Sequence, residues 1–506
     1  MLDWGLAKAE ASTLADAWTG GGGPGGAIVL FDSGGIRDTA SGGFASIEHA
    51  LPFTADTPNR FASISKHFLA TSLLRANVPL DATLGELLDD LPVSLAKVEL
   101  GRALDMTGAL PDMMEVLWQQ GVPFTAALGR AEIGWALQGL SGLNGVPGDE
   151  MAYSNTGWRL AQAVIERQAG MSYAEIIRHL VAPFDATIRF VGDETEIVPD
   201  LATGYWQDGS GWRRGRYGFQ FSGSGGIAGS AAALARWCSA LLAGRGSLEG
   251  MLARLTAPRH FNNGAESRYR LGLVTSMLGD VALVGHGGSL PGYRNHVLMA
   301  PELGVGVVVM TNREEEALWP ALRVLSVLLG QNLPQPAANP TGLFVEDHGP
   351  FWAELTPGAI SVMGGYERLV ADGANGMRSL PAYLDLDLAR IGDDILAGTI
   401  GGVARRIRRA SAHTTLEPRL IGLWRERQSA LEILIRADGA AMMPWAGTIG
   451  VETVLTPLPG GRALADLAHG PWRHRPCFWL RPDGSLGLAS HRARILQFDR
   501  VHKGAS

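Results

Sequence analysis

Ser63-Ile64-Ser65-Lys66 directly precedes the run His67-Phe68-Leu69-Ala70-Thr71-Ser72-Leu73-Leu74. The run after Lys66 is apolar on most faces and predicts a buried helix. If that helix opens at Ser63, Lys66 lies one turn further along on the same face, within reach of the Ser63 hydroxyl. The helix N-terminus would also stabilise a developing alkoxide. We therefore predict a serine nucleophile with a lysine general base at the start of a core helix.

A second stretch, Ser94-Leu95-Ala96-Lys97, has the same spacing of serine and lysine. It follows Asp89-Asp90-Leu91-Pro92, whose charge and proline predict the start of a surface helix. Ser63 instead follows a predicted hairpin and heads a core helix. The contexts favour Ser63 over Ser94 as the nucleophile.

Tyr153-Ser154-Asn155 follows the turn Pro147-Gly148-Asp149-Glu150 and precedes a predicted helix, Trp158–Gln168. Residues two apart on an extended segment point their side chains the same way. Tyr153 could therefore pass a proton between the nucleophile and a leaving group, while Asn155 orients a substrate amide. A tyrosine beside a helix start can equally be a packing residue. The presence of Ser63 and Lys66 in the same chain is what favours a catalytic role for Tyr153.

His286-Gly287-Gly288-Ser289 follows a predicted strand, Val281–Val284. Glycine after a strand lets a ligand approach the backbone closely, so Gly288 is a candidate substrate-binding residue. The backbone N–H of Ser289, paired with that of Ser63, is a candidate oxyanion hole. His286 is a candidate catalytic residue, with a buried structural histidine as the alternative.

Composition narrows the class of protein. A chain of 506 residues is long enough for two or three domains, and its net charge of -7 argues against binding nucleic acid or an anionic membrane. Two cysteines and the lack of a visible signal peptide fit a reducing compartment, so we predict a cytoplasmic location. The sequence has no uninterrupted run of 18 apolar residues, so we predict no membrane-spanning helix. The 12 histidines form no metal-binding motif, so we expect neither a metal nor a cofactor.

The chain changes character at residues 332–340, where three prolines in seven residues predict a linker. Before it, a hairpin from Ala27–Phe31, a helical middle and a late meander predict an α+β domain over residues 1–331. We place the meander strands at Tyr269–Met277, Val281–Val284, His296–Met299 and Gly304–Met310, with a closing helix at Ala317–Leu329.

Beyond the linker, short apolar runs alternate with turn signals and predict two antiparallel β modules, barrels or sandwiches, over residues 341–417 and 418–506. The boundary is expected near Leu416–Leu420. The basic run Arg405, Arg406, Arg408 and Arg409 is interpreted as a solvated strand edge.

The order of the three motifs resembles the serine β-lactamase and penicillin-binding protein superfamily, in the branch with class C β-lactamases and D,D-carboxypeptidases. Phe53-Thr54-x-x-Thr57-Pro58 and Gly225-Gly226-Ile227 agree with this branch. The length, with two β-barrel modules after the catalytic domain, is similar to that of bacterial D-aminopeptidases. That resemblance implies release of N-terminal D-residues, D-alanine-like, from small peptides or amides through an acyl-enzyme.

Two alternatives stay open: a carboxylesterase, or a D,D-carboxypeptidase or β-lactamase-like hydrolase on the same scaffold. His286 stands where many β-lactamases have lysine, which argues against β-lactamase as the main activity. A non-catalytic penicillin-recognising or scaffold protein is disfavoured by intact Ser63, Lys66 and Tyr153. A homodimer is expected.

An aminopeptidase must also bind the substrate ammonium, and the three motifs hold no acid for it. Residues 457–475 form a Gly/Pro-rich segment with one acid, Asp466. In the D-aminopeptidases a loop of the last barrel reaches the catalytic cleft, and the resemblance implies that role for this segment. Asp466 is therefore a candidate substrate-binding residue.

Overall fold

The computed structural model describes residues 2–411, 414–429, 431–445 and 449–502. Its centre is a six-stranded sheet built from the early hairpin and the late meander. In spatial order its strands are Val274–Leu278, Val281–Leu290, Tyr293–Ala300, Val305–Thr311, Gly26–Asp32 and Gly35–Gly42. The sheet is antiparallel, with Val29 opposite Val308 and Gly288 opposite Asn295.

Both faces of this sheet are covered, which explains the uninterrupted apolar run at Ala27–Phe31. Val29 points into the larger core and Ile28 into the smaller one, because successive side chains alternate across a strand. The helices Trp4–Gly20 and Leu318–Leu329 cover the face with the smaller core. On the other face the helix Ala231–Ala243 packs against the central strands. The larger core continues from there through the helices Lys66–Arg75, Asn155–Ala169 and Tyr173–Val181.

Shorter elements complete this part of the chain. The remaining helices are Leu84–Leu87, Val93–Ala96, Leu100–Leu104, Met113–Gln119, Arg130–Gln138 and Met251–Leu255. The short strands are Phe44–Ser46, Leu51–Pro52, Pro58–Arg60, Arg189–Phe190, Tyr205–Gln207, Trp212–Arg214, Ile227–Ser230, Arg259–His260 and Glu266–Ser267. None of the helices among the described residues combines the length and apolar character needed to cross a membrane.

A closed eight-stranded antiparallel barrel follows the linker. Its strands are Gly342–Val345, Trp352–Thr356, Ala359–Val362, Gly365–Asp372, Gly376–Leu380, Leu386–Arg390, Ile395–Ile400 and Val403–Arg409. The basic run does not form a sheet edge, because Val403–Arg409 pairs on both sides, but Arg406 and Arg408 are exposed to solvent as predicted. The Arg405 side chain is only 11% exposed and forms ion pairs with Glu150 and Glu346.

The last part of the chain forms a nine-stranded antiparallel sheet curled into a nearly closed barrel. Its strands are Gly422–Glu426, Glu432–Ile435, Ala440–Trp445, Ile449–Val454, Thr456–Leu458, Arg462–Leu464, Cys477–Leu480, Leu486–Ala489 and Leu496–Arg500. The predicted fold class, an α+β domain followed by two small antiparallel β-barrels, is confirmed. The residue boundaries of the three domains stay a prediction.

Candidate functional site

Ser63 lies in a 3₁₀ turn, Ala62–Ser65, that leads into the helix Lys66–Arg75. The helix therefore begins three residues later than the sequence suggested. Ala62 has a φ of 51°, a left-handed conformation that costs a residue other than glycine about 1–3 kcal/mol. Ser63 is half-buried and lines a cavity of about 670 Å³. Backbone strain beside a cavity-facing hydroxyl is typical of a functional site.

The Lys66 side chain is fully buried next to Ser63. Its Nζ lies 3.1 Å from Ser63 Oγ, 2.9 Å from Asn155 Oδ1 and 2.8 Å from the Ser224 carbonyl oxygen. The last two atoms only accept hydrogen bonds, so a neutral amine donates its two N–H groups to them. Its lone pair then faces the Ser63 hydroxyl.

Burial lowers the pKa of Lys66 well below its usual value, and the nearby charge of Arg492 lowers it further. Asp112 acts in the opposite direction but does not offset these two effects. The environment therefore favours the neutral amine that a general base requires.

Asn155 is held in one orientation by Asp112. The Asp112 carboxylate accepts hydrogen bonds from the Asn155 backbone N–H, at 2.8 Å, and from its side-chain Nδ2, at 3.1 Å. Because a carboxylate accepts only, the amide oxygen must be the atom that faces Lys66. Asp112 itself caps the helix Met113–Gln119 and is buried.

The Tyr153 hydroxyl is within hydrogen-bonding reach of Ser63 and of Tyr269. Burial raises the pKa of Tyr153 to about 12, although the hydrogen bond with Ser63 and the charge of Arg492 work against this rise. The Lys66 Nζ lies 4.9 Å from the centre of the Tyr153 ring. The phenol is thus protonated at neutral pH and touches the candidate nucleophile, so it can deliver a proton.

His286 is buried, and both of its ring nitrogens are occupied. Nδ1 lies 2.6 Å from the Gly287 carbonyl oxygen and must donate to it, so Nε2 accepts from the Tyr269 hydroxyl at 3.0 Å. Burial lowers the pKa of His286, which keeps the ring neutral. This arrangement links His286 to Tyr153 through Tyr269. We predicted that His286 follows a strand ending at Val284. The strand instead runs from Val281 to Leu290 and contains His286.

The glycines of this strand allow two close contacts. A Cβ on Gly288 would lie 2.1 Å from the Phe61 carbonyl oxygen, so only glycine lets the strand pass the Ser63 turn. The Gly287 N–H donates to the hydroxyl of Tyr383, a residue of the first barrel. N–H directions alternate along a strand, so the Ser289 N–H faces the same free edge as that of Gly287. Ser289 is exposed and lines the cavity.

The last barrel also contributes to the cavity wall, through Arg492. Its guanidinium carbon lies 4.8 Å from the centre of the Tyr153 ring, and its Nε lies 3.7 Å from Glu115 Oε1. Glu115 Oε2 accepts hydrogen bonds from the Ser490 hydroxyl and from the Arg492 backbone N–H. Burial raises the pKa of the Glu115 carboxyl group despite the opposing charge of Arg492.

Asp466 does not share this position. Residues 457–475 form short paired strands instead of one long loop, and Leu467–His469 pairs with Trp472–His474 in one hairpin. Trp472, Arg473 and His474 line the cavity, but Asp466 does not. Its carboxylate is 2.9 Å from Arg473 and 40% exposed. The segment thus reaches the cavity, but through Trp472, Arg473 and His474 and not through Asp466. The role of Asp466 in substrate binding stays a prediction.

Ser94 is likewise remote from the cavity. It lies in the short helix Val93–Ala96, and Lys97 beside it is exposed. Neither residue lines the cavity.

Sequence reasoning missed Asp112, Glu115, Tyr269, Tyr383 and Arg492. The pattern Asp112-Met113-Met114-Glu115 carries a helix-capping signal that could have drawn attention to its two acids. The other three residues reach the cavity only through contacts between distant segments, for which the local sequence holds no signal.

Comparison with known proteins places the site in context. The sequence model of the Beta-lactamase family matches residues 11–328. The chain is 29% identical over 323 residues to a D-aminopeptidase of Gluconobacter oxydans, and 27% identical over 317 residues to a D-aminopeptidase of Brucella anthropi. The first alignment covers 61% of this chain and 59% of that relative; the second covers 61% and 60%. The chain thus spans about three fifths of the length of these relatives.

Two solved structures share the fold. A penicillin-binding protein homologue from Pyrococcus abyssi, described as octameric, superposes with a TM-score of 0.57 and 17% identity, covering 98% of this chain and all of that one. A D-amino acid amidase from Ochrobactrum anthropi superposes with a TM-score of 0.53 and 22% identity, covering 64% of this chain and 99% of that one. At these identities the similarity is one of fold.

Proposed function

This chain belongs to the beta-lactamase family, and we propose that it is a serine aminopeptidase that releases N-terminal D-amino acids from small peptides and amides. The observation that carries this proposal is the placement of Lys66 Nζ between Ser63, Asn155 and Ser224, which prepares a neutral amine beside a cavity-facing hydroxyl. The D-aminopeptidase relatives support the choice of substrate.

In the first step the Ser63 oxygen attacks the substrate carbonyl carbon, and the hydroxyl proton passes to Lys66. The resulting oxyanion would be stabilised by the backbone N–H groups of Ser63 and Ser289. Because Gly288 has no side chain, the strand can lie directly against the Ser63 turn, which supports this pairing of the two N–H groups. Asn155 holds the amine of Lys66 in place and also lines the cavity, where it can bind the substrate amide.

In the second step the tetrahedral intermediate collapses, and the leaving amine must receive a proton. Tyr153 is suited to deliver it, because its phenol is protonated at neutral pH and lies within reach of Ser63. Lys66, which carries the proton taken from Ser63, can then return it to Tyr153. Water attacks the acyl-enzyme in the same manner and frees the D-amino acid.

His286 acts as a positioning residue in this scheme. Both of its ring nitrogens bind protein atoms, so none is left for the substrate. It orients Tyr269, which in turn contacts Tyr153. His286 therefore contributes to catalysis by positioning Tyr153, the proposed proton donor, through Tyr269.

Glu115 is the group we propose for the substrate ammonium. Its Oε2 is held by Ser490 and by the Arg492 backbone, while among the described residues Oε1 has only the 3.7 Å contact with Arg492. Burial raises the pKa of Glu115 because it disfavours the charged carboxylate. A substrate ammonium beside it would stabilise that charged form. Glu115 lines the same cavity as Ser63.

A substrate panel tests the proposal. We expect hydrolysis of D-alanine p-nitroanilide and little of its L-enantiomer, with loss of both activities in Ser63→Ala. A p-nitrophenyl ester and a chromogenic cephalosporin test the two alternative activities. Turnover of only the ester or only the cephalosporin would replace the aminopeptidase by one of those alternatives.

We propose further that the enzyme works in the cytoplasm as a homodimer. The first part is supported by the two free cysteines, which fit a reducing compartment, and cell fractionation would test it. Light scattering on the purified protein would test the second, since a monomeric or octameric mass contradicts it.

A further inference from the structure

Arg492 is fixed at the cavity wall by its own backbone. Its carbonyl oxygen accepts hydrogen bonds from the Asp112 N–H, at 2.8 Å, and from the Asn144 amide, at 2.9 Å. Its N–H donates to Glu115 at 3.3 Å. The backbone N–H and the carbonyl oxygen of Arg492 thus both anchor this segment of the last barrel to the catalytic domain.

The guanidinium of Arg492 differs from those of the other arginines that line the cavity. The other four are bonded to a carboxylate, an amide or a carbonyl oxygen; they are Arg159, Arg294, Arg368 and Arg473. Within the described part of the chain, neither Nη1 nor Nη2 of Arg492 has a hydrogen-bond partner, and its Nε is 3.7 Å from Glu115, too far for a hydrogen bond. The side chain is 34% exposed.

We propose that Arg492 is an anion subsite that binds a carboxylate of the substrate, next to the proposed ammonium site at Glu115. This inference rests on the proposed function for the identity of the substrate. A guanidinium presents a planar fork of N–H donors that matches a carboxylate in two parallel hydrogen bonds. The preferred substrate then carries both charges, an ammonium for Glu115 and a carboxylate for Arg492.

The carboxylate can come from two places in such a substrate. It is either the acidic side chain of an N-terminal D-aspartyl or D-glutamyl residue, or the free carboxylate of the leaving amino acid in a dipeptide. Three substrates separate these sources: D-glutamic acid α-p-nitroanilide, the dipeptide D-alanyl-D-alanine, and D-alanine p-nitroanilide, which has no carboxylate. The C-terminal amide of the dipeptide is its matched neutral partner.

The measurement is the ratio of kcat/KM for each charged substrate to that for its neutral partner. In Arg492→Gln we expect this ratio to fall at least tenfold for one charged substrate, and the substrate affected identifies the source. Arg492→Lys should recover part of the loss, because it keeps the charge without the fork. Arg473→Gln is the control, since Arg473 lines the cavity but is paired with Asp466, and its ratios should match the wild type. Unchanged ratios in Arg492→Gln would overturn the proposal.

A second readout keeps this inference separate from the proposed function. If the wild type hydrolyses none of these substrates, the aminopeptidase proposal fails, and calorimetry still tests Arg492. Free D-glutamate should then bind the Ser63→Ala protein more tightly than D-glutamine, and the additional change Arg492→Gln should remove the difference. Equal binding of both ligands would overturn the anion subsite.

Discussion

Arg494 donates two hydrogen bonds to Glu150, from Nη1 at 2.7 Å to one carboxylate oxygen and from Nη2 at 3.1 Å to the other. Arg405 of the first barrel binds the same carboxylate at 3.0 Å. Glu150 therefore joins both barrels to the catalytic domain, three residues before Tyr153. This shared carboxylate thus ties both barrels to the segment that carries Tyr153, the proposed proton donor.

This junction predicts a pH-dependent stability. Burial alone would raise the pKa of Glu150, but Arg494 and then Arg405 lower it to about 2. A carboxyl group with a lowered folded-state pKa stabilises the protein above its unfolded pKa, and that contribution is lost as the pH falls from about 4.5 towards about 2. The contribution at neutral pH is on the order of 3 kcal/mol.

Glu150→Gln isolates this effect. The variant should melt at a lower temperature than the wild type at pH 7, and the difference should shrink between pH 5 and pH 3. A difference that stays constant over this range would show that Glu150 does not act through its charge.

Ser63 should be the acylated residue. A slow serine-directed acylating agent is expected to add one group to the protein, on the peptide that carries Ser63, as intact-mass spectrometry and peptide mapping would show. Ser63→Ala should remain unmodified and folded. An adduct on Ser94 would contradict the assignment, although that serine lies away from the cavity.

Lys66→Arg should lower kcat by about 10²–10⁴-fold, because a guanidinium keeps the charge but cannot accept a proton. In the wild type, kcat/KM should fall at acid pH as the lysine becomes protonated. The charge of Arg492 helps to keep the pKa of Lys66 low. Removing that charge in Arg492→Gln should move the acid limb of the pH profile to higher pH, whereas a limb that stays in place argues for another base.

The local motifs were predictable because their chemistry depends on near neighbours. Ser63 and Lys66 meet through the geometry of one helical turn, and the continuous burial of Ala27–Phe31 follows from a strand covered on both faces. The surroundings of Asp466 were not predictable, because Asp466 and Arg473 pair across one hairpin, which a loop prediction cannot show. Tyr383 was missed because it meets Gly287, His286 and Tyr153 only through the packing of the first barrel on the catalytic domain, for which the local sequence holds no signal.

Tyr383→Phe tests whether the first barrel helps to shape the site. The change removes the oxygen that accepts the Gly287 N–H, and a buried donor without a partner costs about 1–3 kcal/mol. We expect kcat/KM to fall by about tenfold or more, with the overall fold kept. Tyr366→Phe is the control, because Tyr366 is on the same barrel but 65% exposed. Equal activity of the two variants would separate the barrel from catalysis.

Glu115→Gln and Asp466→Asn decide which acid binds the substrate ammonium. Glu115 lines the cavity, whereas Asp466 is paired with Arg473 and lies outside it. Glu115→Gln keeps the shape of the side chain and removes its charge, so KM for a free-amine D-aminoacyl anilide should rise by tenfold or more. KM for the N-acetylated p-nitrophenyl ester, which has no ammonium, should change much less. Asp466→Asn should leave both values close to those of the wild type. If the two variants exchange these effects, the ammonium is bound by the last barrel at Asp466 and Glu115 only supports Arg492.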